Sequence, residues 1–103
     1  MSRQFDLAGA SGTRYRYCHL DENRFLPPAG ANYVIAELTN QGATVVYAGE
    51  TDNLASQTWR VDLEKARRKY AAATLLTRLN VTRAVREAER LDLVENYHPP
   101  LNG

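Results

Sequence analysis

The chain is poor in cysteine, histidine and net charge, and each shortage removes a class of explanation. Cys18 is the one cysteine in 103 residues, so no internal disulfide can form. His19 and His98 are the two histidines and stand far apart. Cys18 and His19 are neighbours, and adjacent side chains leave an extended strand on opposite faces. Neither a zinc-ligand spacing nor a Cys–His nucleophile pair results. The segment Gly9-Ala10-Ser11-Gly12-Thr13 lacks the lysine of a phosphate-binding loop. No apolar run approaches the roughly 20 residues of a membrane-spanning helix. Met1-Ser2-Arg3-Gln4-Phe5-Asp6 lacks the charged-then-apolar layout of a secretory signal. These absences together predict a cytoplasmic protein that does not enter a membrane. A formal net charge of only +1 offers no global cation to a nucleic acid.

What is present is a globular composition, 44% hydrophobic, at a length that builds one domain with one modest core. The charge is unevenly spread. From Gln57 to Arg90 there are nine Lys or Arg against four Asp or Glu, while the rest of the chain carries four against eight. A basic stretch in acidic surroundings can face phosphates, or it can be a solvated helix surface. The phosphate reading assigns contacts to Arg67, Arg68, Arg83 and Arg86.

Residue order predicts the elements. Thr13 to Leu20 is rich in strand formers, and Phe5 to Leu7 is a short strand pairing with it across the Gly9-to-Gly12 turn. Asp21-Glu22-Asn23 and Pro27-Pro28-Ala29-Gly30 read as loops. Asn32 to Leu38 and Ala43 to Tyr47 are strands joined by a Thr39-Asn40-Gln41-Gly42 hairpin loop. Helix begins near Asp52 or Asn53 and continues as Val61 to Ala71, with Leu63, Ala66 and Tyr70 on one face. Ala73 to Leu79 is a third central strand. Asn80 caps a last helix, Val81 to Asn96, whose stripe of Val81, Ala84, Val85, Ala88 and Leu91 faces the core and leaves Arg86 and Arg90 outside. Pro99 and Pro100 end it. The expected fold class is α+β, a small antiparallel sheet flanked by helices. Residues 1–30 form an N-terminal β extension and residues 31–103 the main domain.

Two tyrosine-bearing runs carry the most specific pattern. Ala31-Asn32-Tyr33 and Tyr47-Ala48-Gly49 flank the hairpin, Glu50-Thr51-Asp52-Asn53-Leu54 follows, and the chain closes on Pro99-Pro100-Leu101-Asn102. This order resembles the GIY-YIG nuclease superfamily over roughly residues 30–102. The resemblance implies a site in which two strand tyrosines, here Tyr33 and Tyr47, stand beside a scissile phosphate. It also implies an arginine against the phosphate, a glutamate on the last helix and one Mg²⁺ or Mn²⁺ ion. Asn102 matches the closing asparagine and joins the residues expected to contact nucleic acid. The gap between the tyrosines is longer than usual, which a longer hairpin loop would absorb.

Two positions depart from that pattern. The arginine position holds Gln57, with Arg60 one helical turn on as its substitute. The carboxylate position holds Arg90; Glu89 is the first replacement as metal ligand, and Asp92 the alternative. The resemblance therefore implies a catalytically impaired GIY-YIG-like module that binds nucleic acid or a protein partner, including a second copy of itself. The alternative is a divergent metal-dependent endonuclease using Tyr33, Tyr47, Arg60 and Glu89 or Asp92.

Overall fold

A computed structural model describes residues 4–21, 24 and 26–102. The loop expected at Asp21-Glu22-Asn23 therefore falls partly outside the described residues. Five strands form one antiparallel sheet in the order β1-β2-β5-β3-β4, with two α-helices, so the fold is α+β. The strands are β1 (Gln4–Ala8), β2 (Arg14–His19), β3 (Ala31–Thr39), β4 (Gly42–Thr51) and β5 (Ala73–Leu79). The helices are α1 (Trp59–Lys69) and α2 (Arg83–Tyr97). The N-terminal hairpin β1–β2 is continuous with the sheet, joined through Cys18 opposite Thr77 and His19 opposite Leu76.

Side chains alternate along a strand, so β3 separates two cores. Tyr33 and Ile35 pack with Leu75 of β5 and with Trp59, Leu63 and Ala66 of α1. Val34 and Ala36 pack on the other face with Tyr17, Leu76 and Leu93 of α2. The sheet thus lies between the two helices. Trp59 is fully buried and its indole N–H donates to the Leu54 carbonyl at 3.2 Å, which anchors the start of α1. Before it, Asn53 caps a short 3₁₀ turn, Leu54–Ser56, by accepting from the Ala55 N–H.

The β3–β4 hairpin does not absorb its extra residues in a long loop. Thr39 pairs with Gly42, leaving Asn40 and Gln41 at the tip, and Gly42 takes a φ of +125° that favours glycine. The surplus enters as a β-bulge: Ile35 pairs with Tyr47, but Ala36 pairs with Val45. Val46 is the extra residue. Were the same sequence paired without a bulge, the register set at the hairpin would put Tyr47 opposite Val34 and on the other face, because a one-residue slip inverts every side chain. The bulge puts Tyr47 on the face of Tyr33.

Helix α2 reverses the expected orientation. Val81 is 86% exposed, and Val85 and Leu91 are each 52% exposed. Arg86 and Glu89 are buried instead, with Leu93. The physical reason is size and pairing. Leu93, Val94 and Tyr97 offer more apolar surface than Ala84 and Ala88, at about 25 cal/mol per Å² buried, and both buried charges find partners on the strands. Asn80 does not cap the helix. Its side-chain amide donates to Asn32 Oδ1 at 3.0 Å, and Thr82 precedes the first turn. His98, with φ 46°, ends the helix ahead of Pro99.

Candidate functional site

Tyr33 and Tyr47 stand side by side on neighbouring strands, their ring centroids 6.0 Å apart and tilted by 30°. Tyr33 is opposite Gly49, and its ring lies over that residue. A Cβ at Gly49 would come within 2.6 Å of the Tyr33 ring. The glycine in Tyr47-Ala48-Gly49 is therefore a steric requirement of the first tyrosine. The Tyr33 hydroxyl donates to Asp62 Oδ2 on α1 at 2.9 Å. Asp62 is a site residue that the sequence reading passed over; its signal was a carboxylate one residue before Leu63, on the flank of α1's buried stripe.

Both tyrosines are held neutral. Burial raises the Tyr33 hydroxyl well above the ordinary phenol value, and the hydrogen bond to Asp62 and the neighbouring Tyr47 raise it further. Burial also raises Tyr47, with Asp62 adding to it, while the Tyr33 hydrogen bond and the Arg90 guanidinium act the other way. At neutral pH the pair offers O–H donors and oxygen acceptors, not a ready base.

The other expected residues divide between the two faces. Gln57 adopts a left-handed conformation with φ 60°, and its Oε1 accepts from Arg60 Nε at 3.1 Å. The Arg60 guanidinium lies 4.8 Å from the Trp59 ring centroid. A helix turns about 100° per residue, so Arg60 and Asp62 are about 160° apart around the α1 axis. Asp62 faces the tyrosines; Arg60 is on the other flank.

Glu89 lies on the opposite side of the sheet from the tyrosine pair. Its carboxylate accepts from the Tyr17 hydroxyl at 2.5 Å and pairs with Arg78 Nε at 3.1 Å, and the residue is 3% exposed. Asp92 caps the β1–β2 turn, accepting from Ser11 N–H at 2.8 Å, Ser11 Oγ at 2.6 Å and the Tyr15 hydroxyl at 2.7 Å. Those bonds to Ser11 and Tyr15 hold its carboxyl below the usual range. Gly9 permits the approach, since a Cβ there would meet the Asp92 carboxylate at 1.9 Å.

Arg90 is the α2 side chain within electrostatic reach of Tyr47. It forms a two-pronged pair with Glu87. The carboxylate position named by the sequence pattern holds a cation, and its charge is felt at Tyr47. Among the described residues no three His, Cys, Asp or Glu side chains converge to hold a metal ion. Asp62 alone, hydrogen-bonded to Tyr33, does not make a site for Mg²⁺, which demands near-octahedral oxygen ligation.

The residues expected on nucleic acid are also separated. Arg67 and Arg68 are exposed on α1, and Arg83 is exposed on α2 across the sheet. Arg86 is not on the outer face: its side chain is 4% exposed, pairs with Glu50 at 2.9 Å, and donates to the carbonyls of Asn80 and Val81 at 3.1 and 2.7 Å. It fastens the start of α2 to the sheet. Asn102 fastens the tail to the edge strand: its side chain accepts from Ala48 N–H at 2.8 Å and donates to the Ala48 carbonyl at 2.9 Å. Leu101 N–H reaches the carbonyl of the bulge residue Val46 at 3.0 Å. Both amide groups of Asn102 are thereby committed to protein.

No family model, curated protein or solved structure matches the chain. The functional reading therefore rests on the residues themselves. Among the described residues no helix is long and apolar enough to cross a membrane.

Proposed function

We propose that the protein is a catalytically impaired GIY-YIG-like module that binds nucleic acid through α1. The observation that carries this reading is the commitment of Glu89 to Tyr17 and Arg78 on the face opposite the tyrosines, while the position where the pattern expects a carboxylate holds Arg90. Hydrolysis of a phosphodiester needs an oriented, activated water and charge neutralisation. A neutral Tyr47 can donate a hydrogen bond to a phosphate, whereas the Tyr33 hydroxyl already donates to Asp62. Asp62 is the carboxylate bonded to the pair, and it already accepts from Tyr33. The pair is suited to holding more than to cutting.

The binding surface follows from α1. Lys65, Arg67, Arg68 and Lys69 are all exposed in its second half, and α1 covers the tyrosine face. Arg83, across the sheet, does not share this surface, and Arg86 is interior. Four phosphate contacts give a salt slope of about −3.6, so affinity falls about 100-fold between 50 and 200 mM salt. The test is fluorescence anisotropy with labelled duplex DNA, branched DNA and RNA over that salt range. Arg67→Glu with Arg68→Glu should weaken binding and flatten the slope, whereas Arg83→Glu should leave both close to wild type. A salt-independent affinity, or no binding at low salt, removes nucleic acid as the partner.

A further inference from the structure

Side chains of one C-terminal segment close both edges of the sheet. The strand order leaves β1 and β4 as those edges, and an edge strand offers unpaired backbone groups to any strand that approaches. On β1 the Ala8 N–H donates to the Tyr97 hydroxyl at 3.1 Å, and the Ala8 carbonyl accepts from the Asn96 side-chain amide at 2.7 Å. On β4 the Asn102 side chain takes both backbone groups of Ala48, at 2.8 and 2.9 Å. Leu101 N–H takes the Val46 carbonyl at 3.0 Å. A primary amide carries the same donor and acceptor as a peptide group, so Asn102 meets Ala48 as a residue of a neighbouring strand would. Pro99 and Pro100 precede it and have no N–H with which to carry such a strand further.

The strand closed in this way has a composition that calls for closing. Ala43-Thr44-Val45-Val46-Tyr47-Ala48 is six residues without a charge or a proline, and its four central residues are β-branched or aromatic. Segments of this kind pair with copies of themselves. Charged side chains and proline, two common means of blunting an edge, are missing from it. The bulge at Val46 leaves that residue's carbonyl facing outward, where Leu101 meets it.

We propose that Leu101 and Asn102 form an edge guard, and that with the guard released β4 pairs antiparallel with β4 of a second copy. The strand itself selects this occupant. An antiparallel pair of like edges is isologous, so the same uncharged segment meets itself on both sides. With the guard closed, the backbone groups that such a partner needs are already taken, and the chain stays monomeric. The guard lies on β4 and acts independently of nucleic-acid binding through α1.

Sedimentation velocity of the full chain over a concentration series tests this. Asn102→Leu removes two hydrogen bonds of ordinary net strength, which should raise the population with an open edge by roughly 10- to 100-fold. Wild type is expected to stay monomeric. Asn102→Leu is expected to keep its circular dichroism spectrum and to associate as concentration rises. Adding Thr44→Lys should return it to monomer, because Thr44 is exposed and a lysine on an edge strand opposes pairing. Asn102→Asp keeps the acceptor for Ala48 N–H and loses the donor, and it is read in the same way should Asn102→Leu not fold. A folded variant that is less stable yet monomeric at every concentration gives the tail a structural role only and overturns the proposal. Association that survives Thr44→Lys, or wild type that associates as strongly as Asn102→Leu, overturns it as well.

Discussion

Replacing Glu89 by glutamine separates a structural carboxylate from a metal ligand. Glu89 is 3% exposed and accepts from Tyr17 at 2.5 Å and Arg78 at 3.1 Å, with Asn80 Nδ2 at 3.5 Å. Glutamine keeps the shape but removes the charge and turns one acceptor into a donor facing donors. Hydrogen bonds to charged groups contribute about 1.5–3 kcal/mol each, and breaking a buried ion pair costs about 3–5 kcal/mol. The Arg78 side chain is 40% exposed and can return to water, which places the loss around or below the lower end of that range. The expected destabilisation is about 2–4 kcal/mol, or a fall in Tm of roughly 10–25 °C for a domain of this size. Urea and thermal unfolding of wild type and Glu89→Gln measure it. A loss under about 0.5 kcal/mol, typical of surface positions, would refute the buried-network account. So would a specific loss of Mg²⁺ binding with stability intact.

Three further outcomes follow from particular contacts. Gly49→Ala should destabilise by about 1–3 kcal/mol, because its Cβ overlaps the Tyr33 ring and overpacking forces that ring aside; equilibrium unfolding checks it, and a neutral result removes the steric argument. Arg86→Ala should cost about 2–4 kcal/mol by leaving Glu50 and two carbonyls unpaired, while Arg68→Ala should stay within about 0.5 kcal/mol, compared by the same unfolding curves. Asp92 has a lowered carboxyl value in the folded state, so its contribution is present above the unfolded value of about 3.9 and is lost as pH falls through the folded one. Acid unfolding below about pH 4 should therefore be shallower in Asp92→Asn than in wild type, and identical acid limbs would contradict the turn-capping role.

The strands were legible because their signals are local. Phe5 to Leu7 and Arg14 to His19 alternate, and Ala73 to Leu79 combines β-branched and apolar residues, so the sheet's members and the N-terminal hairpin follow from sequence. The bulge at Val46 was not legible, since nothing in Thr44-Val45-Val46-Tyr47 distinguishes a regular strand from one with an inserted residue. Yet the facing of Tyr47 depends on it. Periodicity misled on α2 because the alanine-rich stripe satisfies the helical spacing as well as the buried face does. The deciding facts were long-range: Tyr17 and Arg78 for Glu89, Glu50 for Arg86. Asp62 escaped for the same reason, its partner lying 29 residues away on β3.

The proposed module binds nucleic acid without cutting it, because Arg90 holds the position where the pattern expects a carboxylate and Glu89 is committed elsewhere. The most direct measurement incubates the full chain with labelled duplex and branched DNA and RNA in Mg²⁺ or Mn²⁺ at low salt, and follows binding and strand cleavage in the same samples, with Tyr47→Phe and Glu89→Gln alongside. The account predicts salt-sensitive binding with intact strands in every sample. Metal-dependent cleavage by wild type that Tyr47→Phe abolishes would contradict it, and would return the protein to the endonuclease reading.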